Sequence, residues 1–207
     1  MTTMSRHAHF QQLYEQDADP WKVRERWYEQ RKRNLMLACL PQQRYRHAFE
    51  PACGNGELTA ALAQRADAVL ATDLSAEAVR LTRQRLQELE PGDAGRVAVR
   101  QQAAPREWPD GAFDLIVLSE VVYYLPEHEV LQLRDRCAEA LTTDGTLVLC
   151  HWRRPFDDRH LDSADIHARF DRIPGLHRLM QHSEADFLLD VWSRNPSSVA
   201  QREGLAP

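Results

Sequence analysis

The chain has 207 residues, 43% of them hydrophobic and 28% charged, an ordinary globular balance with room for one domain around a large core. Net charge is −5, the basic side is almost all arginine with Lys22 and Lys32 as the only lysines, and no block of basic residues marks nucleic acid as a partner. No apolar run approaches the ~18 residues of a membrane span, the opening MTTMSRHAHF lacks the apolar core of a secretory signal, and Cys39, Cys53, Cys137 and Cys150 form no C-x-x-C pair. We therefore expect reduced, core-filling thiols in a cytoplasmic protein, a monomer or dimer, with no membrane, nucleic-acid or metal partner.

In chain order, the first forty residues are aromatic and charged, and VRERWYEQRKRNLMLACL (23–40) reads as a helix laid against the domain. HAFEPAC (47–53) predicts a strand ending at a glycine turn, ELTAALAQRA (57–66) a helix, and AVLATD (68–73) a second strand. SAEAVRLTRQRLQELE (75–90) predicts a long helix with Ser75 as N-cap. GRVAVRQQ (95–102) and AFDLIVLSE (112–120) predict the third and fourth strands, the latter apolar enough to be buried on both faces. EHEVLQLRDRCAEAL (127–141) reads as a helix, TLVLCHW (146–152) as a fifth strand, SADIHARFD (163–171) as a helix, and LHRLMQH and DFLLDVW (176–182 and 186–192) as an antiparallel hairpin. Strands alternating with helices at this spacing predict βαβ units, and hence an α/β fold with a mostly parallel sheet, helices on both faces and the hairpin at one edge. Residues 1–40 are expected to form a helical cap, 41–195 the main domain, and 196–207 a disordered tail.

A parallel sheet places ligands at the carboxyl ends of its strands, near the switch point. There Gly54 and Gly56 allow a sharp turn and close approach of a ligand to the backbone. A dinucleotide fingerprint would continue to a third glycine with a pyrophosphate at the helix start, but the stretch reads Gly54-Asn55-Gly56-Glu57-Leu58-Thr59, and Glu50 and Glu57 flank the turn. These acids repel phosphate and suit a cation, which favours a sulfonium ligand over NAD. Asp73 ends the second strand, where a carboxylate can accept from two ribose hydroxyls; a turn or N-cap acid is the plainer reading.

The stretches EPACGNGELTAAL, ATDLSAEAV, FDLIVLSEVVYYL and GTLVLCHW resemble the class I S-adenosylmethionine-dependent methyltransferases. DADPWKVRERWYEQRKRNLML, LSEVVYYL and DFLLDVW narrow the resemblance to the nodulation protein S family. The resemblance implies a Rossmann-like class I methyltransferase fold with a seven-stranded sheet, and S-adenosylmethionine as the methyl donor. It also implies a small-molecule acceptor, since the nodulation protein S family N-methylates the free amine of a deacetylated chitooligosaccharide.

Carried onto this chain, the resemblance places Glu50 at the methionyl ammonium, Gly54 and Gly56 along methionine and ribose, Asp73 on the ribose hydroxyls and Leu74 on the adenine. Gln102 and Ala103 stand where the superfamily often has an adenine-binding Asp, and the Gln102 amide can both accept and donate. Ser119 and Glu120 would border the sulfonium. Trp21, Trp27, Tyr28 and Arg31 would close over the cofactor, with Arg31 a candidate for the methionyl carboxylate; a surface helix laced with i,i+4 charge pairs is the alternative. Trp108 would wall the adenine pocket or serve as a core residue. Methyl transfer is an in-line displacement governed by alignment, and an ammonium or hydroxyl acceptor must first lose a proton. Glu120 and His151 are the candidate bases, His167 a weaker one, and Tyr123 and Tyr124 candidate acceptor walls. The enzyme reading is a small-molecule N-methyltransferase; an O-methyltransferase on a hydroxylated metabolite, a non-catalytic cofactor-binding module and, remotely, an NAD oxidoreductase are its alternatives.

Overall fold

The computed structural model describes residues 5–89 and 96–206. Seven strands form one sheet in the order β3-β2-β1-β4-β5-β7-β6. They are β1 (Tyr45–Pro51), β2 (Ala66–Asp73), β3 (Val97–Gln101), β4 (Phe113–Ser119), β5 (Leu141–Trp152), β6 (His177–Ser183) and β7 (Phe187–Ser193). The first five run parallel; β7 is antiparallel to β5 and pairs with β6 as a hairpin at the edge. The order reverses between β1 and β4, so the carboxyl ends of these two strands open a crevice.

The β4 run FDLIVLS explains its central place. Phe113 through Leu118 are all buried, as a strand covered on both faces requires. Ile116 and Leu118 pack with Phe49, Leu147 and Leu149 against α5 (Glu127–Ala140) and α6 (Ser163–Phe170). Leu115 and Val117 point the other way, joining Ala48, Val148 and Val191 beneath α2 (Trp27–Ala38) and α3 (Glu57–Ala63). Alternation along one strand thus feeds two cores. Helix α4 (Ala76–Leu86) covers β2 and β3 through Val79 and Leu86, starting at Ser75, whose hydroxyl accepts the Ala78 N–H at 3.1 Å as expected of an N-cap.

Three elements differ from the sequence reading. Residues 6–16 form helix α1 (Arg6–Gln16), capped by Ser5. Strand β5 begins at Leu141, five residues before its expected start, so the Asp144-Gly145 pair lies inside it and the register with β4 shifts between Phe113 and Leu115. The expected tail 196–207 carries the short helix α7 (Val199–Arg202), closed by a Ser198/Gln201 capping box. The start of the expected third strand (95–102) and the end of the expected helix 75–90 fall outside the described residues. Among the described residues no helix is long and apolar enough to cross a membrane, no group of three or more His, Cys, Asp or Glu is arranged to hold a metal, and all four cysteines are free.

Candidate active site

A cavity of about 710 Å³ opens at the carboxyl edge of β1, β2 and β4 and is covered by the N-terminal segment. Its floor comes from the strand ends. Glu50 on β1 is 3% exposed and accepts the Thr59 hydroxyl at 2.6 Å. Burial, with the nearby Asp73 charge, pushes its carboxyl up to about 8. Asp73 ends β2 and accepts the Gly54 N–H at 3.0 Å and the Ser75 N–H at 2.9 Å. Burial raises it to about 6, and those backbone donors oppose the rise.

The two turn glycines have different tasks. Gly54 lines the cavity at φ 58°, and a Cβ there would meet the Tyr14 hydroxyl oxygen at 2.6 Å. Gly56, at φ 84°, does not line the cavity; its Cβ would strike Thr82 Cα at 2.9 Å. Gly56 therefore seats α4 against the turn, while Gly54 is the turn glycine that lines the cavity. Glu57 lines the cavity but does not stand as a free acid: Arg85 pairs with it at 2.7 Å, and Arg24 and Arg33 approach to 3.5 and 3.7 Å. Glu57 therefore presents no free charge against a phosphate at the turn. Glu127, the first residue of α5, pairs with Arg169 at 2.6 Å and does not line the cavity.

At the β3 end, Gln102 lines the cavity and its Oε1 is buried without a hydrogen-bond partner. A buried acceptor without a partner is unusual and costs free energy until a donor arrives. Ala103 does not line the cavity, and its N–H is already given to Glu107 at 2.7 Å; Ala104 lines it instead. Leu74 and Ser119 line it as expected. Trp108 packs edge-on against Phe49 at 5.0 Å outside the cavity, so it is a core residue.

The cover is built by α1, the loop after it, and α2. Phe10, Leu13 and Tyr14 present one face of α1 to the cavity; their i, i+3, i+4 spacing was the available signal for this helix. Trp21 stacks edgewise on Tyr14 at 5.7 Å and lines the cavity. Trp27 does not: it is 70% exposed on the outer surface of α2. Arg31 also faces away, paired with Glu184 at 2.8 Å. Tyr28 packs edge-on against Trp152 and Phe187 behind the cavity. Glu29, Lys32, Arg33 and Met36 of α2 line the cavity, and Lys32, one position beyond Arg31, is only 4% exposed. Its ammonium pairs with Glu120 at 2.5 Å and Glu29 at 2.9 Å. Burial alone would depress its pKa, but the Glu120 and Glu29 charges outweigh it and hold the ammonium well above its ordinary value.

Beyond the glycine turn the wall changes to Glu120, Tyr123 and Tyr124, with Trp152, Phe156 and the acids Asp157 and Asp158. Tyr123 donates its hydroxyl to Glu120 Oε2 at 2.6 Å, and the Trp152 N–H donates to the same oxygen at 2.8 Å. Burial first, then the Glu120 charge, raises the Tyr123 phenol well above its ordinary pKa. His151 is fully buried and does not line the cavity. Its Nε2 accepts the Val122 N–H at 3.3 Å, leaving the Nδ1 proton to bond His167 Nε2 at 3.0 Å; His167 Nδ1 in turn bonds the Asp190 carboxylate at 2.6 Å. Both ring nitrogens are engaged, and burial drives the His151 pKa well below its ordinary value. Neither His151 nor His167 is placed to take a proton from a ligand in the cavity; the chain anchors the 3-10 turn Val122–Tyr124 that carries the two tyrosines.

A methyltransferase domain model matches residues 49–147. Nodulation protein S of Sinorhizobium fredii (strain NBRC 101917 / NGR234) is 33% identical over 110 residues, 53% of this chain and 49% of that protein. Nodulation protein S of Rhizobium tropici is 32% identical over 108 residues, 52% and 43% respectively. The chain spans about half the length of these curated relatives. A crystal structure of a candidate methyltransferase from Pseudomonas syringae is 47% identical, covering 81% of this chain and 99% of that one with a TM-score of 0.71. The N-methyltransferase NodS of Bradyrhizobium japonicum WM9, solved with S-adenosyl-L-homocysteine, shares the fold at 20% identity, with a TM-score of 0.77 over 91% of this chain.

Proposed function

Because this chain belongs to the class I S-adenosylmethionine-dependent methyltransferase family, we propose that it transfers a methyl group from S-adenosylmethionine to an amine of a small molecule. One observation carries the reading: Gln102, whose buried Oε1 has no hydrogen-bond partner, lines the same cavity as the buried carboxyl groups of Asp73 and Glu50. An adenosine carrying a methionyl chain needs an acceptor for its exocyclic amine, one for its ribose hydroxyls and one for its ammonium. Gln102, Asp73 and Glu50 fit that donor set. S-adenosylmethionine supplies an electrophilic methyl on a sulfonium.

The chain's own residues would do the rest. Gly54 permits backbone contact with the ligand, and Leu74 packs on the adenine. Residues 1–40 act as the cap, through Phe10, Tyr14, Trp21 and Lys32 rather than through Trp27 or Arg31. Arg26 takes the task expected of Arg31: among the described basic side chains lining the cavity, it alone lacks a carboxylate partner. A guanidinium there suits the methionyl carboxylate. Closing the cap excludes water and fixes the angle between acceptor and methyl, and such alignment can lower a barrier by about 7–11 kcal/mol.

The amine preference is supported by charge. Glu29 and Glu120 outnumber Lys32 in the inner wall, Asp157 and Asp158 add to the rim, and Tyr123, Tyr124 and Phe156 offer ring faces to a cation. The free thiols are in keeping with a cytoplasmic setting. The test is transfer of a labelled methyl group from S-adenosylmethionine to a panel of primary amines, amino sugars included, beside matched alcohols and phenols. Label in the amines is the expected result. Label in the hydroxyl compounds alone makes the protein an O-methyltransferase, and S-adenosylhomocysteine binding without transfer to either panel makes it a non-catalytic module.

A further inference from the structure

Glu120 is held in an unusual way. Its backbone is left-handed, at φ 56°, immediately after the last residue of β4. For a non-glycine residue this conformation is costly and persists only where surrounding contacts enforce it. Those contacts converge on the carboxylate: Lys32 on Oε1, and the Tyr123 hydroxyl and Trp152 N–H on Oε2. The carboxylate that an acceptor meets in the cavity is thus already held on both oxygens. Beside it on the same wall stands Tyr123, whose hydroxyl gives its proton to Glu120 and keeps oxygen lone pairs of its own.

We propose that Tyr123 and Glu120 form a two-member proton relay, in which Tyr123 takes the proton of the acceptor ammonium as it passes its own proton to Glu120. The inference rests on the amine reading above. In the relay an N–H bond of the ammonium breaks and its proton bonds to Tyr123 Oη, while the Tyr123 O–H bond breaks and that proton bonds to Glu120 Oε2. The freed nitrogen lone pair forms the N–CH3 bond as the CH3–S bond breaks, its electrons remaining on sulfur. Glu120 ends as a neutral acid, and its proton returns to solvent after product leaves.

The surroundings suit both ends of this transfer. Before it, the Glu29–Lys32–Glu120 group carries one net negative charge and attracts a cation; after it, Lys32 still has Glu29 at 2.9 Å and is not left as an unpaired buried charge. Burial and the Glu120 charge keep Tyr123 protonated beforehand, so it is always ready to donate. His151, the other base candidate, is walled off behind the 3-10 turn.

The experiment follows methyl transfer to glucosamine and benzylamine against pH for wild type, Tyr123→Phe and Glu120→Gln. Calorimetric titration of S-adenosylhomocysteine, and of each amine onto the S-adenosylhomocysteine-loaded protein, runs alongside. Tyr123→Phe is expected to lose about 10²–10⁴-fold in kcat near neutrality, to regain rate as pH approaches the acceptor's own pKa, and to bind both ligands as wild type does. A wild-type pH profile, or the same loss at every pH, overturns the relay. If Tyr123→Phe does not fold, 3-fluorotyrosine at position 123 keeps the hydroxyl and lowers its pKa; the pH limb must then shift, and an unmoved limb overturns the relay. Wild type that methylates no amine overturns the amine reading and the relay with it.

Discussion

The Tyr14 hydroxyl lies directly over Gly54, 2.6 Å from where a Cβ at that position would stand. Helix α1 and the glycine turn therefore interlock, and the cap is fitted to a turn residue that has no side chain. Gly54→Ala would force this contact apart and place alanine at φ 58°, a conformation costing about 1–2 kcal/mol. We expect S-adenosylhomocysteine binding to fall by roughly tenfold or more, read by calorimetry. Unchanged affinity would show that Tyr14 and the turn do not jointly bound the ligand.

Asp73 has two occupations. It would hold the ribose, and it already accepts the Gly54 and Ser75 N–H groups. Asp73→Ala would leave two backbone donors unpaired, so a cost of about 1–3 kcal/mol in unfolding free energy should accompany the loss of ligand affinity. Asp73→Asn, which retains one acceptor oxygen, should weaken binding with a smaller loss of stability. Urea unfolding beside ligand titration separates the two effects; Asp73→Asn binding S-adenosylhomocysteine like wild type would remove Asp73 from the ribose site.

Glu50 makes ligand-free stability fall with pH. Its folded pKa, about 8, lies above the ordinary 4.5, so the folded protein binds more protons between those values. The contribution is fully present below about pH 4.5 and is lost as pH rises through 8; Asp73, raised from 3.8 to about 6, acts in the same direction over a lower window. Glu50→Gln should therefore unfold at a higher temperature than wild type at pH 8.5, by at least about 2–4 °C for each kcal/mol. Thermal scans from pH 5 to 9 check this, and parallel curves for the two proteins would contradict it. An ammonium beside Glu50 would draw its proton off, so ligand binding near pH 7 should release protons to the buffer in wild type and fewer in the variant.

Much of the site was legible because its chemistry is local. Glu50, Gly54 and Asp73 stand at strand ends that alternation and the turn already mark, and Gln102 follows the third strand directly. Gly56 misled because its task depends on Thr82, which α4 brings back from 26 positions along the chain. Arg31 and Lys32 show how a helix defeats reading by type: adjacent positions differ by about 100° around the axis, and it is the lysine that faces inward. The chain His151–His167–Asp190 joins β5, α6 and β7, and nothing in the spacing of those residues announces that they meet. Helix α1 was passed over because it is polar on most sides, with Phe10, Leu13 and Tyr14 forming only a narrow stripe.

Lys32 and Glu120 bind the cap to the sheet. Lys32→Met takes the cationic partner from the Glu120 carboxylate, leaves it the Tyr123 and Trp152 donors, and should cost about 1.5–3 kcal/mol of unfolding free energy. Adding Glu120→Gln should recover part of that loss, giving a coupling energy of at least about 1 kcal/mol in a double-mutant cycle of unfolding free energies. Additive effects would mean that the pair does not hold α2 in place.

The most direct measurement is a crystal structure of the protein with S-adenosylhomocysteine. The account predicts the adenine amine on Gln102 Oε1, the ribose hydroxyls on Asp73, the ammonium near Glu50, and the sulfur facing Glu120 and Tyr123. A ligand bound elsewhere, or one that leaves Gln102 Oε1 without a partner, would contradict it.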